Sequence, residues 1–127
     1  MNLMGIDVGT TSVKTAVFNE KLEMVSDSNI DYTLETRGDI VEFEAENYWN
    51  IVKKEIDSLD LKVEGVSLDT QCETLILTDE NGNPVRKAIV WLDNRATKEA
   101  EQIESHFGRK KVYEVTGQPE ITATWPA

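Results

Sequence analysis

Apolar and polar positions alternate at the start of the chain. Leu3 to Val8 is an apolar run that stops at Gly9, and Val13 to Phe18 resumes with Val13, Thr15 and Val17 on one side and Lys14, Ala16 and Phe18 on the other. Successive side chains of a strand point to opposite faces, so two strands joined by a tight Gly-Thr turn are predicted. Asn19-Glu20-Lys21 is a polar turn, and a third strand starts at Leu22, Met24 and Val25 and runs to about Tyr32. The chain thus opens as an antiparallel meander.

From Ala45 the spacing becomes helical. Ala45, Tyr48, Trp49, Val52, Ile56 and Leu59 form one stripe, with Glu46, Asn50, Lys53, Lys54 and Asp57 opposite. Val63 to Leu68 then reads as a short apolar strand, and strand, helix, strand in that order suggests an α/β crossover. Leu75 to Leu77 and Val85 to Trp91 flank Asp79-Glu80-Asn81-Gly82-Asn83-Pro84, whose Asn-Gly pair supplies the chemistry of a hairpin turn. A second helix is predicted after Asp93 or Asn94, either able to cap it, with Ala96, Ala100, Ile103 and Phe107 on its apolar face and Gly108 as its stop. A third covers Arg109 to Thr116 and ends at Gly117.

A length of 127 residues bounds the chain to one core. The apolar fraction of 39% and charged fraction of 29% are those of an ordinary globular protein. No apolar stretch is long enough to span a bilayer, and Met1 to Gly5 reads as strand and not as a signal peptide, so a cytoplasmic location is expected. Cys72 is the single cysteine, which excludes an intrachain disulfide. The 24 acidic residues against 13 basic ones give a net charge of −11, which disfavours nucleic acid and anionic membranes as partners. An anionic ligand would have to be held locally, by backbone donors, a lysine and a cation.

Three short segments can do that kind of work. In Gly5-Ile6-Asp7-Val8-Gly9-Thr10-Thr11-Ser12-Val13-Lys14 the glycines fit neither a Walker loop nor a dinucleotide fingerprint, and strand follows where those motifs have helix. Amides from Gly9 to Ser12 can form a phosphate nest, with hydroxyls of Thr10, Thr11 and Ser12 as further donors. Asp7 would then hold hydrated Mg²⁺ and Lys14 would offer a point charge. A plain hairpin corner with a solvated lysine is the other reading. In Ser67-Leu68-Asp69-Thr70-Gln71-Cys72-Glu73-Thr74, polar residues follow a strand, where ligands of open α/β sheets bind, so Gln71 and Glu73 can meet a polyhydroxylated substrate. Cys72 has no neighbouring cation and reads as a pocket-lining or buried small residue and not as a nucleophile. In Trp91-Leu92-Asp93-Asn94-Arg95 the indole suits the C–H side of a sugar while Asp93 and Arg95 can bond hydroxyls, or else Trp91 is core and Asp93 a helix cap.

Taken in order, Gly-Ile-Asp-Val-Gly-Thr-Thr-Ser-Val-Lys, Thr-Gln-Cys-Glu-Thr and Ala-Ile-Val-Trp-Leu-Asp-Asn-Arg resemble the N-terminal region of the FGGY carbohydrate kinases, from Met4 to about Ala127. The resemblance implies an α/β, ribonuclease H-like lobe of the actin and hexokinase type, incomplete, with a mixed sheet that starts in the three-strand meander. It implies ATP and Mg²⁺ as cofactors and a small sugar or polyol as substrate. Asp7 matches the family's Mg²⁺-linked aspartate, Gly9, Thr10, Thr11 and Lys14 its phosphate loop, and Gln71, Cys72, Glu73 and Trp91 acceptor positions, with Asp93 and Arg95 beside them. The family's general base and its later nucleotide motifs have no counterpart within these residues, so the 127-residue chain is expected to be a partial N-terminal domain that is inactive alone. Glycerol kinases usually carry Arg where this chain has Cys72, and xylulokinases usually have Met-His there but share the Trp-x-Asp-x-Arg pattern, which favours a ketopentose such as xylulose. The ending Thr124-Trp125-Pro126-Ala127 reads as truncated, and an uncovered sheet edge or apolar patch around Ile121 and Trp125 makes a homodimer an expectation.

Overall fold

The alternation at the start of the chain is realised as β1 (Leu3–Val8) and β2 (Ser12–Phe18) in a computed structural model, which describes residues 1–124. There follow β3 (Met24–Asp31), β4 (Glu35–Arg37), β5 (Ile40–Phe43), α1 (Ala45–Asp57), β6 (Gly65–Thr70), β7 (Ala88–Ile89), α2 (Thr97–Phe107) and α3 (Arg109–Thr116). Trp125, one of the residues expected to be uncovered, lies outside the described residues. The chain divides into two units, one of residues 1–34 and 44–72, the other of residues 35–43 and 73 onward.

In the first unit the sheet order is β3-β2-β1-β6. β1, β2 and β3 run antiparallel as the predicted meander, and β6 lies parallel to β1. The predicted strand Val63–Leu68 is displaced to Gly65–Thr70, so Asp69 and Thr70 pair with Asp7 and Val8. Met4, Ile6, Val8, Val13 and Val17 face Val52 of α1 in one core, edged by Tyr32, Tyr48, Ile51, Leu59 and Val63. Burial of each such aliphatic side chain contributes about 1.5–3 kcal/mol.

The inward face of α1 differs from the predicted stripe. Trp49 and Ile56 are exposed, while Ala45, Val52 and Glu55 are buried. Glu55 takes an inward position because the buried Thr15 of β2 donates its hydroxyl to the Glu55 carboxylate at 3.1 Å. Along β6, Val66 and Leu68 are in register with the buried Met4 and Ile6, yet remain 59% and 60% exposed.

In the second unit the sheet order is β4-β5-β7, and Val41, Phe43, Ala88, Ile89, Val90, Ala96 and Ala100 are buried. The β4–β5 hairpin was not anticipated. Its strands are three and four residues long and turn at Gly38, whose φ of 63° suits a residue without Cβ. The predicted hairpin around Asn81-Gly82 exists as a loosely bridged arm. Leu75 bridges Ile89 and Thr78 bridges Pro84, but regular strand is confined to Ala88–Ile89. Pro84 lacks an N–H to extend a ladder, and Asp79 Oδ1 accepts the N–H groups of Asn81 and Asn83 at 2.9 and 2.8 Å. Neither Asp93 nor Asn94 caps α2 with its side chain. Asn94 contributes its carbonyl, which accepts the Thr97 hydroxyl at 2.8 Å. Gly108 and Gly117 end α2 and α3 with φ of 76° and 75°. Ile121 borders an apolar groove between α2 and α3 with Ile103, Phe107, Val112 and Val115. No helix among the described residues is long and apolar enough to cross a membrane.

Candidate functional site

Strand register decides what stands on the sheet face away from α1. Core residues alternate with Gly5 and Asp7 on β1, so these two face the other way, and pairing places Ala16 and Ser67 beside Gly5 and Lys14 and Asp69 beside Asp7. A row of small residues therefore floors a hollow of about 340 Å³, and a charged row, Lys14, Asp7 and Asp69, stands next to it. The hollow is open at Gly5, where an added Cβ would meet nothing within 4 Å. Asp7 and Lys14 are exposed, and neither makes an ion pair or side-chain hydrogen bond among the described residues. Asp69 adds a second carboxylate that the sequence reading did not single out.

Beyond the charged row the chain reverses through Thr10 and Thr11. Gly9 N–H donates to Ser12 C=O at 2.9 Å, so this amide closes the turn and does not join the expected phosphate nest. None of residues 9–12 has positive φ. Gly9 is required for another reason: a Cβ there would lie 3.2 Å from the Ser12 carbonyl oxygen and 3.9 Å from Asp7 Oδ1. The Ser12 hydroxyl and Lys14 stand beside the turn as donors for an anion.

Two residues missed in the sequence hold this bend. Tyr32 N–H donates to Thr11 C=O at 2.9 Å and its hydroxyl donates to Gly9 C=O. The Tyr32 and Tyr48 rings meet edge to face at 5.7 Å. Gln71 Nε2 in turn donates to the Tyr48 hydroxyl at 3.0 Å, and Gln71 N–H to Val8 C=O at 2.8 Å. Burial pushes the Tyr32 hydroxyl above the ordinary tyrosine range, and Tyr48 and the Asp7 carboxylate add to the shift. Burial likewise raises Tyr48, against the opposing bond from Gln71. The Gln71 Oε1 atom is buried and has no hydrogen-bond partner among the described residues. Thus the first unit brings together Asp7, Gly9, Thr10, Thr11, Ser12 and Lys14, and ties them to Gln71. Cys72, which follows, is exposed, so the expectation of a buried residue does not hold.

Glu73, Trp91, Asp93 and Arg95 belong to the second unit. Glu73 is exposed with φ of 65°, a left-handed backbone unusual for a residue with a side chain. Trp91 is exposed, and its carbonyl accepts the Thr124 hydroxyl at 2.7 Å. The Asp93 side chain is fully buried: its Oδ2 accepts Val41 N–H at 2.7 Å and Arg95 Nη2 at 2.7 Å, and its Oδ1 accepts Arg95 N–H and Nε. Arg95 also donates to Glu42, which accepts Arg86 as well. Burial acts to raise the Asp93 carboxyl, but Arg95 and the two amides outweigh it and hold it below the usual carboxylate range. The bond from Arg95 holds Glu42 low in the same way.

The donor set of the first unit fits the groups the sequence implied. Mg²⁺ keeps most of its waters and takes one or two carboxylates plus substrate phosphates. An open Asp7 with Asp69 beside it meets that need, and no cluster of three metal-binding side chains exists among the described residues. Lys14 and the threonine bend stand where phosphates bound to such a cation could be met.

Residues 2–125 match the N-terminal domain of the FGGY family of carbohydrate kinases. The xylulose kinase of Staphylococcus xylosus is 29% identical over 122 residues, which are 90% of this chain and 25% of that protein. The glycerol kinase of Streptococcus sanguinis is 34% identical over 124 residues, 91% of this chain and again 25% of the relative. Among solved structures, gluconate kinase from Lactobacillus acidophilus superposes with a TM-score of 0.86 at 22% identity, covering 98% of this chain and 26% of that one. Plasmodium falciparum glycerol kinase with ADP superposes with a TM-score of 0.83 at 21% identity, covering 97% and 26%. The fold is accordingly the ribonuclease H-like one of these kinases, and the chain spans about a quarter of its relatives' length.

Proposed function

Since the chain belongs to the FGGY family of carbohydrate kinases, we propose that the whole protein transfers the γ-phosphoryl group of MgATP to a hydroxyl of a small sugar or polyol, with a pentulose such as xylulose favoured. The observation that carries this is Asp7, exposed and unpaired beside Lys14 at the mouth of the Thr10–Thr11 bend. In the reaction an acceptor oxygen bonds to the γ-phosphorus, the bond to the β,γ-bridging oxygen breaks, ADP leaves and the acceptor proton passes to a base. Protein catalysis of this step is chiefly positioning and charge stabilisation. Asp7 would hold the hydrated Mg²⁺, which would supply neutralisation of the phosphate charge. Lys14 offsets their charge.

Gln71, Cys72, Glu73 and Trp91 are the acceptor contacts in this reading. Asp93 and Arg95, whose polar atoms are engaged with each other, Val41 and Glu42, act on the acceptor by shaping the chain after Trp91. Similarity to both a xylulose and a glycerol kinase keeps glycerol as the alternative substrate; the Trp-x-Asp-x-Arg pattern supports the ketose, while Cys72 departs from the usual residues of both. The 127 residues alone bind MgATP without turning substrate over. Calorimetry should show saturable MgATP binding that Asp7→Ala weakens, and a coupled ADP assay of the whole protein should lose orders of magnitude of turnover in that variant. Undiminished turnover would remove Asp7 from the mechanism, and sugar phosphorylation by the 127-residue chain would overturn its incompleteness.

A further inference from the structure

We infer that Tyr32 is a positioning residue for the bend of residues 9–12: it holds carbonyl groups of the bend away from an anion, so that the phosphates of MgATP can be received there. The second half of that statement rests on the kinase reading. Backbone carbonyls and phosphate oxygens can both only accept hydrogen bonds at neutral pH. A carbonyl turned toward a phosphate therefore sets two partial negative charges against each other, and a bend that receives an anion needs its carbonyls occupied elsewhere. Three of the four carbonyls of residues 9–12 are so occupied: Ser12 C=O accepts Gly9 N–H and Thr11 C=O accepts Tyr32 N–H, both at 2.9 Å, and Gly9 C=O accepts the Tyr32 hydroxyl. One residue thus supplies two of the three donors.

Strand pairing puts Tyr32 in that place. The β2–β3 register sets Ser12 against Asp31, so the next step along both segments brings Tyr32 beside Thr11. From there its hydroxyl reaches Gly9, and its ring is braced edge to face by Tyr48 at 5.7 Å. Burial keeps the hydroxyl in its protonated form, the form that can donate. A peptide unit is planar and trans, so a C=O held on one side directs the N–H of the following residue to the other. Tyr32 fixes two such units, those after Gly9 and after Thr11, and with them the orientation of the bend.

The test is a split between two substrates. Tyr32→Phe keeps the ring and the main-chain bond to Thr11 but releases the Gly9 carbonyl. In a coupled ADP assay of the whole protein it should raise KM for MgATP about fivefold, the effect of one hydrogen bond, and leave KM for xylulose or glycerol unchanged. An unchanged KM for MgATP would overturn the inference, and so would an equal rise for both substrates, which marks a general loosening. Calorimetry with the magnesium complex of tripolyphosphate should show the same factor, because the effect is on phosphates and not on adenosine. Equal affinity of parent and variant for that probe counts against Tyr32. Should Tyr32→Phe fail to fold, the unsubstituted whole protein decides, labelled with ¹³C at the glycine carbonyls and at tyrosine Cζ. Magnesium tripolyphosphate should move the Gly9 carbonyl and Tyr32 Cζ resonances together, and stillness at either sinks the proposal. A parent protein that neither turns over nor binds tripolyphosphate removes the kinase reading of the bend and the role of Tyr32 with it, whereas a parent that binds no better than its variant removes Tyr32 alone.

Discussion

Each unit sets an aspartate near a basic side chain, and the two pairs have opposite fates. Asp7 and Lys14 face each other across β1 and β2, exposed, with no bond between them. Asp93 and Arg95 lie two residues apart, the aspartate fully buried, joined through Nε and Nη2 and extended to Glu42 and the Val41 amide. An unpaired, hydrated carboxylate keeps its lone pairs for a ligand, whereas one already holding several donors has become part of the scaffold. Similar residue types in similar motif positions therefore carry different work, and burial separates them.

The largest test of that contrast is Asp93→Ala. Removing one member of a buried, bonded pair strands Arg95 and the Val41 N–H, and should cost about 3–5 kcal/mol in urea unfolding. An Asp93→Ala chain of near-normal stability would break the comparison. Next in size is the acid limb of stability. The Asp93 and Glu42 carboxyls are held below their ordinary values in the folded state. Their contribution is present above the unfolded carboxylate pKa, about 4, and is lost as pH falls through the lower folded value. Asp93→Asn should flatten that limb, and an unchanged acid profile would show the network contributes little.

At the alkaline end the sign reverses. Burial raises Tyr32 and Tyr48, so their contribution is present below about pH 10 and fades as pH rises toward their folded values. Absorbance titration should show two of the three tyrosines ionising late, and Tyr48→Phe should remove one. Gly9→Ala comes after that, at about 1 kcal/mol, because the Ser12 carbonyl must yield a few tenths of an ångström. Smallest is Asp7→Ala, within about 0.5 kcal/mol of the parent as for a surface change away from structural features. A large loss there would make Asp7 a structural residue and close the gap between the two pairs.

Much of the fold was legible where one period ran long enough to exceed local noise. β1, β2, β3 and the three helices came from alternation, helical spacing and glycine stops. The β4–β5 hairpin escaped because its strands are too short to show a period, and Glu35, Arg37 and Glu42 interrupt the apolar signal. α1 was read with its face turned toward Trp49 and Ile56, since hydropathy alone cannot anticipate that Thr15 would draw Glu55 inward.

The chain's own order of residues determined the family and the meander, because each depends on neighbours within a few positions. Which aspartate stayed open, which carbonyl of the bend was engaged by a distant side chain and how Gln71 was turned were decided only by tertiary structure. Those outcomes depend on partners 23 to 52 residues away, such as Tyr32 over Gly9, Tyr48 against Gln71 and Val41 beneath Asp93. Hydrogen bonds between such distant residues exist only after strand pairing has brought them together, and no local pattern encodes their direction.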